Sequence, residues 1–192
     1  MRCKFIFVFL LITTSVFGQS GLRLKFRNPL ELYAEQRRVV GNWCRMDYEG
    51  LRLTPDGWNR FKPLTSQKDN PDSSTIVIVS RYQIAQHDPQ AISWNLDVIY
   101  NVIGRYQHST GFQPAGSGPE TVTYRTKEVD GDLVITDVDP TYPHMSKRAA
   151  IDWIKKELAS TTISDVEKYY LNSALKQLEP PAATTPTPQP AN

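Results

Sequence analysis

Soft and nitrogenous metal ligands are scarce in this chain of 192 residues, which holds two cysteines and three histidines. His87, His108 and His144 are scattered, with no second His or Cys at ligand spacing, so the pattern excludes a zinc site and predicts no metal. A surplus of charge is missing too. The 22 Lys/Arg against 20 Asp/Glu leave a net charge of +2, too little to drive nucleic-acid binding by counterion release. Long apolar runs are also absent: Phe5 to Ile12 is unbroken but well short of the roughly 20 residues that a bilayer core demands. Gly116-Ser117-Gly118 is neither a nucleophile elbow nor a phosphate loop, and nothing in the chain calls for a cofactor.

What the chain does contain first marks its two ends. Arg2 and Lys4 precede the apolar run, and Val16 with Gly18 supply small residues near Gly18 or Gln19. That is the layout of a cleaved signal peptide over residues 1–19, which predicts export to a bacterial periplasm or the extracellular space. Removing Arg2 and Lys4 brings the 22 basic residues level with the 20 acidic ones, and it removes Cys3, so Cys44 is left without a disulfide partner. Residues 20–28 form a lead-in to a folded unit at 29–179. From Pro180 to Asn192 the sequence PPAATTPTPQPAN has no large apolar residue to offset its ordering entropy, and it reads as a disordered tail.

Within the unit, Leu32, Gln36, Val39, Val40, Trp43, Cys44 and Asp47 recur at spacings of three and four, which predicts a helix from Pro29 to Tyr48 with one buried stripe. A second short helix is expected near Pro55 to Lys62. The period then changes. Ser74 to Gln86 and Ser93 to Arg105 read as strands, Gly111 to Pro119 as a loop, and ETVTYRTKEV with DLVITDV as a hairpin closed by Asp130-Gly131. Such a link favours a type I′ turn. Extending its register without a break sets Tyr124 opposite Asp137 and Arg125 opposite Thr136, and puts Val122, Tyr124, Leu133, Ile135 and Asp137 on one face. Ser146 and Ser164 each cap a further helix. The expected class is therefore α+β, with N-terminal helices on a curved antiparallel sheet of four or more strands and two C-terminal helices.

The stretches WCRMDYEGLRLTPDGWNRFKPLT, VIVSRYQI, VIYNVIGRY, VTYRTKEVDGDLVITDVDP and PHMSKRAAIDWIKKEL resemble those of exported bacterial members of the cone-shaped nuclear transport factor two-like superfamily. The resemblance spans about Leu30 to Leu158, and the helix after Ser164 departs from the usual layout. It implies a curved sheet whose concave face and covering helix enclose a pocket. Ketosteroid isomerases and polyketide cyclases carry out acid/base chemistry in that pocket, and other members only bind. Sheet-face dimers are common in the superfamily, and Ile99 with Ile103 on the wetter face of the second strand would suit either a homodimer or a cover by the last helix.

Asp47 shares the buried stripe of the first helix, so it is either a structural carboxylate bonded to a Tyr hydroxyl or Arg52, or a pocket acid with a raised pKa. Asp137 is either the second pocket acid, beside Tyr124 and Tyr100, or a rim residue before Pro140. His144 is a candidate titratable group at the pocket rim, and Cys44 an inert core thiol. Trp43, Asp47, Arg52, Tyr100, Tyr124, Asp137 and His144 thus make the expected ligand-binding set. They predict an exported module whose apolar, Tyr-lined pocket holds a small amphipathic molecule, or alternatively an isomerase, dehydratase or cyclase that uses Asp47 or Asp137.

Overall fold

The computed structural model describes residues 28–70, 74–88, 90, 93–116 and 118–179. The expected signal segment and Pro-rich tail lie outside the described residues. Helix α1 (Pro29–Tyr48) begins where Asn28 Oδ1 accepts the Glu31 N–H at 2.8 Å, and Pro29 supplies the first turn. It buries the face that its spacing predicts, with Met46 in addition. Gly50, at φ +76°, ends it in the left-handed conformation that costs glycine least. A 3-10 turn (Leu51–Leu53), helix α2 (Gly57–Phe61) and a second 3-10 turn (Lys62–Leu64) follow.

The sheet is built from β1 (Thr75–Ile84), β2 (Asn95–Gln107), β3 (Gly111–Pro114), β4 (Pro119–Val129), β5 (Asp132–Asp139) and β6 (His144–Ser146), in the order β5-β4-β2-β1-β6. It is α+β and cone-like as expected, but larger and mixed. β6 pairs parallel to β1, where the sequence suggested only the approach to a helix. The expected loop at Gly111 to Pro119 contains β3, which pairs with residues 104–107 of β2 while β4 pairs with residues 95–101. Helices α3 (Lys147–Leu158) and α4 (Asp165–Leu178) open on Ser146 and Ser164, whose hydroxyls accept the N–H groups of Ala149 and Glu167.

Two bulges decide which side chains point inward. In β1 the pairing steps from Val79↔Val102 to Arg81↔Asn101, so Ser80 is the extra residue; in β2, Ile103 is extra on the same logic. The strands thereby serve two cores. Val77, Val79, Leu96, Val98, Tyr100, Val122, Tyr124 and Ile135 close on α1 at the concave face, whereas Ile76, Ile78 and Tyr106 meet α3 and α4 on the convex face. Each fully buried Val, Leu or Phe of this kind contributes about 1.5–3 kcal/mol. Ile103 packs into the second core and Ile99 stays half-buried, which shrinks the apolar patch available to a second copy.

Candidate functional site

The last turns of α1 aim Trp43, Cys44 and Asp47 at the concave face, and the alternation of β2 and β4 aims Tyr100 and Tyr124 back at them. The two phenol oxygens lie 2.9 Å apart. The Tyr100 hydroxyl is 3.1 Å from Cys44 Sγ, and the thiol reaches the Tyr124 hydroxyl at 3.5 Å. All three groups are sealed from solvent. Burial pushes both phenols well above their ordinary range and the Cys44 thiol up to about 12, so none of the three ionises near neutral pH.

Asp47 is 1% exposed. Its Oδ2 accepts from Arg52 Nη1 at 3.3 Å and from the His144 backbone N–H at 3.1 Å, while Arg52 Nη2 donates to the Thr141 carbonyl at 2.8 Å. The guanidinium sits 5.5 Å from the centre of the Trp43 ring. Burial raises the Asp47 carboxyl, outweighing the opposing pull of Arg52 and His144. Arg52 is the partner that the sequence offered for a structural carboxylate.

His144 is fully buried, not a rim residue. Its ring stacks on Tyr100 at 4.2 Å, and its Nε2 is 3.8 Å from Glu120 Oε1. Glu120 Oε2 in turn meets Arg105 Nη2 at 2.5 Å. Sequence reasoning missed both of these residues. The signal for Glu120 was its parity with Val122 and Tyr124, which puts it on the same concave face; Arg105 follows a bulge that shifts parity unseen.

Asp137 does not join this cluster. β5 is continuous with the expected register from Val129↔Asp132 to Thr126↔Ile135, but a bulge then sets Arg125 opposite Asp137 and Tyr124 opposite Val138. The extra residue is Thr136. Asp137 therefore lies on the outer face, ion-paired with Arg125, and Val138 takes the buried place that unbroken alternation had given it.

Three hollows lie away from this cluster. A cavity of about 450 Å³ separates the segment Arg52–Pro55 from α3, lined by Leu53, Pro55, Ile76 and Trp153 with His108, Lys156 and Glu157. A hollow of about 190 Å³ adjoins it, sharing Leu53, Thr54, Trp153 and Lys156. A third, of about 490 Å³, is bounded by Tyr48, Glu49, Ser146, Arg148, Ala149 and Asp152. None of these three is lined by Trp43, Tyr100 or Tyr124. Among the described residues no three His, Cys, Asp or Glu side chains converge as metal ligands, and no helix is long and apolar enough to cross a membrane. No known protein family, characterised protein or solved structure matches the chain.

Proposed function

We propose that the chain is an exported binding module for a small amphipathic molecule, held in the cleft between the Arg52–Pro55 segment and α3. The observation that carries this reading is a contrast in access. Trp43, Asp47, Tyr100 and Tyr124 are no more than 1% exposed, whereas the half-buried Trp153 borders a cavity of about 450 Å³. Leu53, Pro55, Ile76 and Trp153 suit an apolar face of the ligand, and His108, Lys156 and Glu157 suit its polar edge. The cone-like sheet wrapped around α1 supports membership of the superfamily that the sequence resembles, with the usual pocket filled by side chains and the binding place displaced to the convex side.

The acid/base alternative has little to work with. Asp47 is 1% exposed and paired with Arg52, and Asp137 is tied to Arg125 on the outer face. Native mass spectrometry of protein isolated from its own host tests the binding reading. A retained small-molecule mass in the wild type, lost in Trp153→Ala, is expected; a bare wild-type mass would overturn it.

A further inference from the structure

The cleft beside Trp153 carries charge of both signs, and two of its charged groups are unmatched. Lys156 and Glu157 are neighbours on the last turn of α3, and both border the cleft. Neither side chain makes a hydrogen bond or ion pair with any described residue. The other charged groups at the cleft already have partners, since Arg52 holds Asp47 and His108 Nδ1 lies 3.4 Å from Glu167 Oε1. Two buried donors are left over as well. Arg52 borders the cleft at 2% exposure, and its Nε–H meets no acceptor among the described residues. The hydroxyl of Tyr106 is equally orphaned, on a ring whose centre is 5.4 Å from that of Trp153 and 5.6 Å from that of His108. Burial, with Glu167 and Glu157 nearby, pushes this phenol up to about 12, so it remains a donor at neutral pH. Buried polar groups are ordinarily matched, so orphaned donors beside an open cleft call for an oxygen acceptor from outside the chain.

Taking this cleft as the binding place, as proposed above, we infer that its occupant is a neutral oligosaccharide, with one pyranose ring laid against the Trp153 indole and its hydroxyls shared between Lys156 and Glu157. Charge decides against the ionic amphiphiles. An anionic head is drawn to Lys156 but repelled by Glu157 beside it, and a cationic head meets the reverse. A sugar hydroxyl donates to the carboxylate and accepts from the ammonium without bringing charge of its own. Shape agrees, because a pyranose presents an apolar C–H face to the half-buried indole and to Leu53 and Pro55.

The adjoining hollow of about 190 Å³ shares Trp153 and Lys156 with the cleft, adds Glu49 and Asp152, and brings no further cation. Room for a second sugar unit thus continues past Trp153, on a side that disfavours an anionic tail. A peptide is the other neutral chain rich in donors and acceptors, and it is held most readily by a free strand edge. The strand that reaches the cleft, through Ile76, is β1, which already lies between β2 and β6.

Titration of the full ¹⁵N-labelled chain tests this, read at the Trp153 indole N–H, which is assigned by its loss in Trp153→Phe. The probes are neutral trisaccharides of glucose, mannose, galactose, xylose and N-acetylglucosamine, with decanoate, decyltrimethylammonium and N-acetyl-trialanine amide as the competing classes. At least one trisaccharide should shift the indole signal saturably with a midpoint below about 1 mM. In Glu157→Ala that midpoint should rise about tenfold, as one charge-assisted hydrogen bond is lost. A saturable shift from decanoate, the ammonium amphiphile or the peptide, with none from any sugar, overturns the sugar and leaves the cleft as a binding place. Silence from every probe also overturns the sugar, while the cleft itself stands or falls on the retained mass in native mass spectrometry. A sugar midpoint unmoved in a folded Glu157→Ala overturns the assignment to this pair of charges.

Discussion

Asp47 shows how one side chain can tie three segments together, since α1, the 3-10 turn and β6 all meet at its Oδ2. Removing it leaves Arg52 and the His144 N–H buried without their acceptor. Asp47→Ala should therefore cost about 3–5 kcal/mol in urea unfolding, the range for breaking a buried pair from one side. Burial raises this carboxyl in the folded state, so its contribution is full below the ordinary aspartate pKa and declines as pH rises through the shifted value. Asp47→Asn should abolish that decline in a pH series of urea midpoints. Cys44, with its thiol pushed up to about 12, should resist iodoacetamide at pH 8 in the native state and react once unfolded, which mass spectrometry of the alkylated protein reads directly. Both environments were legible in the sequence, because spacing from Trp43 set them on the buried stripe. Glu120 was harder to foresee as a neighbour of His144, since two strands separate β4 from β6, and Arg105 joins the cluster only through Glu120.

At the scale of elements, backbone geometry decided what pattern alone could not. The Asp130-Gly131 turn formed as its composition predicts, with φ of 52° and 85°. Gly131→Ala should thus cost about 1 kcal/mol through its positive φ, read as a lower thermal midpoint with the β4–β5 register intact by NMR. Gly104 is constrained by space instead. A Cβ there would lie 2.4 Å from the Phe112 ring and 2.7 Å from the Gln113 carbonyl, where β3 pairs antiparallel with β2. Gly104→Ala should lose about 1–3 kcal/mol by overpacking, checked by urea denaturation. The helices and strands β1, β2, β4 and β5 were readable from period and caps, whereas β3, β6 and the bulges at Ser80, Ile103 and Thr136 were not. A bulge adds one residue without changing composition, yet it exchanges inside for outside beyond it, which is why Asp137 and Val138 traded places.

In the molecule as a whole, one sheet is covered on both sides, by α1 on its concave face and by α3 with α4 on its convex face. The concave side holds aromatic rings in edge contact, Trp43 with Phe61 at 4.8 Å and with Tyr124 at 6.4 Å, and buries the Asp47–Arg52 pair. The convex side keeps the cleft beside Trp153. Ligand occupancy by native mass spectrometry, compared between Asp47→Asn and Trp153→Ala isolated from the host, separates these roles most directly. The retained mass should persist in Asp47→Asn, whose urea stability falls by about 1–3 kcal/mol, and should vanish in Trp153→Ala while that protein stays folded. Loss of the ligand from a folded Asp47→Asn, with full retention in Trp153→Ala, would contradict the account and return the binding place to the interior.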